Sequence, residues 1–237
     1  MKRIVTGPRA VTEALRASGE NVSVIYVAAG AKKTIEHEAE RRKVRVEVRS
    51  KGELDALAKG HRHQGVVAIA GAYSYLDLPS LLSGAPTPAL LVALDQITDP
   101  HNFGAIVRSA VVFGADGVIT LKDRAAPVSP VVVRASAGAT EHAKIARVTN
   151  LARTLKELHE LGFQSVGLDA EGTTTVDALP PAPGGRILVV GAEGKGLRRL
   201  VRERVSVLAR IPQVGPVASL NASVAASIAL YCAMNRT

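Results

Sequence analysis

Tryptophan is absent from this chain of 237 residues, and phenylalanine and tyrosine bring the aromatic content only to 3%. Stacking of bases on aromatic platforms is therefore not expected to dominate binding, and contacts to charged groups should carry the affinity. There is one cysteine, Cys232. No intrachain disulfide can form, and a cytoplasmic protein fits. Cys232 lies in an apolar run and reads as a small buried hydrophobe. A run of about 18 apolar residues is also missing, so no transmembrane helix is expected. The opening MKRIVTGPRAVTEAL has two early basic residues without an apolar stretch behind them, and does not read as a signal peptide. The Gly-Lys of GAEGKGL is not followed by Ser or Thr, which excludes a Walker P-loop. No GxSxG elbow is present to mount a hydrolase triad. His61 and His63 have no Cys/His partners to complete a metal site, so no metal is expected and both read as exposed or facing a polyanion.

Positive charge is abundant. The formal net charge is +9, with a pI near 10.0. Such a balance points to a polyanionic partner, of which nucleic acid is the usual one. The excess is uneven: residues 1–72 hold 14 Lys/Arg against 8 Asp/Glu, whereas residues 73–237 hold 16 against 13.

The patterning divides the chain at the same place. Val11, Ala14 and Leu15 share one face of a helix over 8–17, and VSVIYVA (22–28), VRVEV (44–48) and GVVAIA (65–70) read as strands separated by helices over 34–43 and 51–59. Residues 1–72 thus form a small α/β domain. Three prolines in AYSYLDLPSLLSGAPTPA mark 73–88 as a linker. Beyond it, over 89–237, the apolar runs ALLVALD (89–95), GVITL (117–121), FQSVGLD (163–169) and RILVVG (186–191) are continuous, as fully buried parallel strands are. Helical patterns at 102–114, 129–138 and 149–161 would cover both faces of this sheet. Asn102 is a candidate cap for the first of these helices, and Thr149 or Asn150 for the last.

Three patches of small and polar residues follow strand-like runs: DPHNFGAIVRSAVVFGADG (99–117), GAEGKGLRRL (191–200) and IPQVGPVASLNASVAASIAL (211–230). Loops beyond the C-terminal ends of parallel strands are where α/β proteins bind ligands, and small residues let a ligand approach the backbone. Taken singly, each patch also has a structural reading: a cap, a surface cation, a tightly packed helix.

Together and in this order they resemble the SpoU (TrmH) family of RNA 2′-O-ribose methyltransferases, within the SPOUT class. The motifs are N-x-G-A-I-x-R-S-A from Asn102 to Ala110, G-A-E-G-x-G-L from Gly191 to Leu197, and I-P-x-x-G-x-x-x-S-L-N-x-S-V-A from Ile211 to Ala225. Residues 5–15 and HQGVVA (63–68) resemble the ribosomal-protein-like RNA-binding domain of the bacterial members that methylate a guanosine of 23S ribosomal RNA. The resemblance implies a C-terminal domain threaded into a deep trefoil knot, whereas the patterns alone would give an unknotted doubly wound sheet. It further implies S-adenosylmethionine as cofactor, held at Gly191, Ile211 and Leu220, and a homodimer with the active site near its interface. Arg108 takes the family's catalytic position. A guanidinium does not give up its proton near neutral pH, so a cation that stabilises the developing alkoxide is the better physical reading. Asn102 would orient Arg108 or the ribose, Glu193 would hold the loop as an acceptor, and Ser219 and Asn221 would line the site. Two other readings stay open: a 2′-O-methyltransferase for another ribosomal or transfer RNA site, and a non-catalytic RNA-binding factor in ribosome assembly.

Overall fold

The computed structural model describes residues 2–18, 21–216 and 219–234. In chain order the first elements are β1 (Arg3–Thr6), α1 (Pro8–Ser18), β2 (Val22–Val27), α2 (Lys32–Arg41), β3 (Val46–Val48), α3 (Lys51–Ala58) and β4 (Val66–Ala70). They are followed by α4 (Leu78–Ser83), β5 (Leu90–Asp95), α5 (Pro100–Val112), β6 (Gly117–Leu121), α6 (Pro130–Ala135), β7 (Ile145–Val148), α7 (Leu151–Glu160) and β8 (Gln164–Leu168). The last are β9 (Thr174–Thr175), β10 (Arg186–Gly191), α8 (Arg199–Arg202), β11 (Val207–Arg210) and α9 (Ala222–Ala233). They group into two compact units, one of Met1–Ser74 with Pro127–His142, the other of Tyr75–Ala126 with Ala143–Thr237.

The first unit is built on a four-stranded sheet in the order β1-β4-β2-β3. The face predicted for α1 is the buried one: Val11, Ala14 and Leu15 pack with Ile25, Val27, Val66 and Ala68 of the strands. Helix α3 starts at a capping box, in which the Ser50 side chain meets the Glu53 backbone while Glu53 reaches back to Ser50. The segment 127–142 belongs here, which corrects the expectation that a helix over 129–138 covers the parallel sheet. Helix α6 is shorter than the pattern suggested and packs on β1. Val133 joins the core of this unit, and Arg3 grips both carboxylate oxygens of Glu141 at 2.6 and 2.5 Å. Gly138 (φ +87°) lies so close to α1 that an added Cβ would sit 2.8 Å from Cβ of Glu13. Apolar periodicity says that a helix has a buried face, not which sheet buries it.

The second unit holds a seven-stranded sheet in the order β7-β6-β5-β10-β8-β11-β9, with every neighbouring pair parallel. Leu91, Ala93, Ile119, Ile187 and Val189 form one core with Leu81 of α4, Leu155 and Leu158 of α7 and Val201 of α8. Strand residues alternate between faces, and the intervening Leu90, Val92 and Leu94 are equally buried. Helices α5 and α9 pack on each other and on β6 and β10. The expected parallel α/β sheet is therefore present, with β7, β9 and β11 in addition to the predicted strands. The proline-rich stretch 73–88 is structured too: Asp77 caps α4, Pro79 sits in its first turn, and Leu81 is fully buried. None of the described helices is long and apolar enough to cross a membrane.

Going out from β5, the chain runs to β6 and β7 on one side and to β10, β8, β11 and β9 on the other. The reversal lies between β5 and β10. In open parallel sheets the crevice at such a point, beyond the strand C-termini, is the binding position.

Candidate active site

Two loops leave the reversal point, 96–99 after β5 and 192–198 after β10. The first leads straight into α5. Its cap is Asp99, whose carboxylate accepts the backbone N–H groups of His101 and Asn102 at 3.1 and 3.2 Å. Asn102 is therefore not the cap anticipated from the sequence. It lies inside the first turn, 7% exposed, with its side-chain amide free for another partner. That partner is Glu193: Asn102 Nδ2 donates to Glu193 Oε2 at 3.1 Å.

Asn221 completes the group. It caps α9, and its Oδ1 accepts from Ser223 N (2.8 Å), Ser223 Oγ (2.6 Å) and Val224 N (3.4 Å). With the oxygen committed to the helix, Nδ2 must face the other way. It donates to Asn102 Oδ1 at 2.9 Å and to Glu193 Oε2 at 3.3 Å. Each amide thus has an orientation dictated by its neighbour, and the Glu193 carboxylate collects both amide donors.

The loop carrying Glu193 is held at its base. Gly196 N donates to Ala192 O at 2.8 Å and Ala192 N to Gly196 O at 3.1 Å. A Cβ on Gly191 would lie 2.2 Å from the carbonyl carbon of Gly196, so only glycine permits this closure. Asp95, at the end of β5 and 0% exposed, ties the loop down by accepting Arg198 N at 2.8 Å and Arg198 Nε at 2.7 Å. This pair was not among the residues singled out from sequence. A carboxylate ending the apolar run ALLVALD was the only sign of it.

Two cavities flank the loop. One, of about 500 Å³, is lined by Gly191, Ala192, Glu193, Ile211, Ser219 and Leu220, and on its far side by Asp169 and Glu171. The other, of about 290 Å³, is lined by Gln96, Thr98, Asp99, Asn102, Arg124, Glu193 and Lys195. Hydrogen bonding to Arg202, at 2.8 Å, is the main reason that the Asp169 carboxyl is held below the usual aspartate range. Gly191, Ile211 and Leu220, assigned to the cofactor by the resemblance, fall on the larger cavity together with Ser219. The size suits a nucleoside-sized ligand, and Gly191, Ala192, Ala209, Ala222 and Ala225 put only small side chains along its wall. The residues present therefore fit an adenosine-bearing group.

Arg108 is not brought into this group. It lies six residues beyond Asn102 on α5, is exposed, and makes no hydrogen bond or ion pair with a described residue. One turn further on, Val112 is 69% exposed, and on α9 Val224 and Tyr231 are 46% and 60% exposed. His63, read from sequence as exposed or facing a polyanion, is not exposed but buried, with Nε2 2.9 Å from Asp55 Oδ1 and Nδ1 accepting from Gly65 N. Its neighbours in a tight turn, Gln64 and Gly65, both have positive φ, a geometry that residue type alone did not disclose. Cys232 is half-buried, and burial pushes its thiol pKa up.

Residues 89–231 match the SpoU rRNA Methylase family, and residues 4–76 match the RNA 2′-O ribose methyltransferase substrate binding family. A protein of Mycolicibacterium vanbaalenii described as an uncharacterized tRNA/rRNA methyltransferase is 45% identical over 236 residues, covering 96% of this chain and 74% of the relative. The crystal structure of the SpoU methyltransferase AviRb from Streptomyces viridochromogenes superposes with a TM-score of 0.82 at 26% identity, over 99% of this chain and 89% of that one. An rRNA methyltransferase from Sinorhizobium meliloti gives a TM-score of 0.79 at 26% identity, over 98% and 86%. AviRb has also been crystallised with the cofactor AdoMet, and that structure gives a TM-score of 0.81 at 25% identity, over 99% and 90%. The chain belongs to the SpoU family of RNA methyltransferases.

Proposed function

We propose that this protein transfers a methyl group from S-adenosylmethionine to the ribose 2′-hydroxyl of a nucleotide in structured RNA, with a guanosine of 23S ribosomal RNA as the target. The observation that carries the proposal is the position of Glu193: it gathers the amides of Asn102 and Asn221 and lines both cavities. A group-transfer site needs such a shared wall, with donor and acceptor held on either side and their reacting atoms aligned. S-adenosylmethionine, when bound, supplies an electrophilic methyl on a sulfonium. Gly191, Ile211 and Leu220 would hold it in the larger cavity, where Ser219 also lies. Asn102 and Asn221 orient Glu193, whose Oε1 accepts nothing from the described residues and is available to a ribose hydroxyl.

Arg108 would stabilise the alkoxide as the methyl is transferred. Its place on one exposed helix face with Val112, beside the exposed Val224 and Tyr231 of α9, supports a homodimer in which this face is covered and Arg108 serves a site completed by the second copy. The division expected from sequence, 1–72 for RNA binding, 73–88 as linker and 89–237 for methyl transfer, would hold with two changes: 127–142 goes with the first unit and 75–88 with the second. The net excess of Lys/Arg in the first of these supports its role. The trefoil knot that the resemblance implies would lie in the unit that holds the seven-stranded sheet. We place the protein in the cytoplasm with ribosomal RNA as its partner.

Mass-spectrometric mapping of 2′-O-methyl groups in ribosomal and transfer RNA, with and without the protein, tests the reading. A new mark on transfer RNA or on another ribosomal position would move the target. RNA binding with no mark anywhere would leave a non-catalytic assembly factor.

A further inference from the structure

We propose that Arg124 and Lys195 clamp the phosphodiester attached to the target ribose, in the smaller cavity beside Glu193. This rests on the methyltransferase reading above. A 2′-hydroxyl is covalently tied to a neighbouring 3′-phosphate. A site that presents the hydroxyl to Asn102 and Glu193 must therefore accept an anion within a few bond lengths. The cavity of about 290 Å³ that shares Glu193 and Asn102 is where that anion falls.

Its cations are free to receive it. Neither Arg124 nor Lys195 has a hydrogen bond or ion pair with a described residue, whereas nearby Arg198 and Arg202 are tied to Asp95 and to Asp169 and Glu171. Three of the four carboxylate oxygens on the cavity wall are already engaged, and the fourth, Oε1 of Glu193, is the one left for the ribose hydroxyl. Both oxygens of Asp99 accept helix N–H groups, and Oε2 of Glu193 accepts the two amides. The backbone supports the same assignment. Gln96 (φ +60°) and Arg124 (φ +56°), both on this wall, adopt the left-handed conformation without being glycine, asparagine or aspartate. Ala126 N, bonded to Ile97 O at 2.9 Å, ties their two loops together. Such conformations persist where surrounding structure enforces them, and ligand clamps are one of the places they gather.

The test measures salt-dependent binding and single-turnover methylation of an in vitro 23S ribosomal RNA transcript by the wild type, Arg124→Ala, Lys195→Ala, the double variant and Arg124→Lys. Each alanine variant should raise the half-saturating RNA concentration about tenfold, as loss of a charge-assisted contact does, with the rate at saturation within about threefold. The double variant should flatten the log–log salt slope by about 1.4–1.8. Arg124→Lys should keep the slope, S-adenosylmethionine affinity should not move in the two Arg124 single variants, whose side chain lines only the smaller cavity, and melting temperature should not move in any variant. An unchanged slope in the double variant overturns the clamp. So does a loss that Arg124→Lys fails to rescue, or one that comes with a lowered melting temperature. If the wild type binds the transcript but transfers no methyl, the 23S target falls, and the salt slopes still decide the clamp.

Discussion

Asn221 donates its side-chain amide to Oδ1 of Asn102 at 2.9 Å, across 119 residues of sequence. The bond links the N-terminus of α9 to the first turn of α5 and points the Asn102 amide at Glu193. Cap and site are thus one hydrogen-bonded chain, and they are separable by substitution. In Asn221→Ser the hydroxyl still caps α9, so stability should change by only a few tenths of a kcal/mol. Serine is too short to reach Asn102. Methyl transfer should fall at least tenfold, as for the loss of one positioned hydrogen bond, roughly 1.4 kcal/mol of barrier. Thermal melting beside single-turnover kinetics checks both halves, and equal losses in both would mean that the residue only caps.

Arg108→Ala should cost on the order of 10²–10³ in turnover, about 3–4 kcal/mol, as removal of one preorganised partner of an oxyanion does. Arg108 is exposed and unpaired among the described residues, so melting should not follow. Cofactor titration should be unchanged, because Arg108 lines neither cavity. Arg108→Lys should restore activity in part. Normal turnover in the alanine variant would remove the residue from the mechanism.

The Asp95–Arg198 pair should matter to stability. Among the described residues, Arg198→Ala leaves a fully buried carboxylate with only the backbone N–H of residue 198. Breaking a buried pair from one side costs about 3–5 kcal/mol. Because the guanidinium here is 40% exposed, roughly 2–3 kcal/mol is expected in urea unfolding. Loss of S-adenosylmethionine binding should accompany it, since the pair anchors the loop that carries Gly191 and Glu193. A drop in melting temperature with full cofactor affinity would show that the loop keeps its shape unaided.

His159 should make stability depend on pH. Its Nε2 lies 2.7 Å from Oγ of the buried Ser165, and burial, helped by the charge of Arg204, lowers its pKa. The unfolded chain takes up a proton near pH 6.5 that the folded chain does not yet take. Stability is therefore full above that value, declines as pH falls through it, and levels off once the folded imidazole is protonated too. Urea unfolding between pH 7.5 and 5 should show this decline, and His159→Gln should flatten it. An equally steep decline in the variant would assign it to other groups.

What the sequence disclosed follows from which interactions are local. The buried face of α1 repeats at the helical period and four of the parallel strands are unbroken apolar runs, so both could be read directly. The three ligand loops could be read because their small residues come in a recognisable order. Contacts made at long range could not. Nothing near Asp95 announces Arg198, 103 residues away, and nothing in PVVVRA says that Val133 belongs with β1. The prolines at 73–88 read as breakers, yet Pro79 occupies the one helical turn that tolerates it. Strand β11 was hidden because VLAR is short and ends in charge.

The return of residues 127–142 to the first unit has a consequence for synthesis on the ribosome. Strand β1 is among the first segments made, but the helix that covers it and the carboxylate that pairs with Arg3 emerge only after β5 and β6 of the other unit. The amino-terminal unit cannot complete its core as soon as its own sheet has been translated. For the same reason the gene offers no single cut that separates two self-sufficient pieces. A fragment ending at residue 74 lacks α6, and one beginning at 75 carries Val133 with no core to enter. Exchange of RNA-binding units between relatives would have to move two stretches of coding sequence at once.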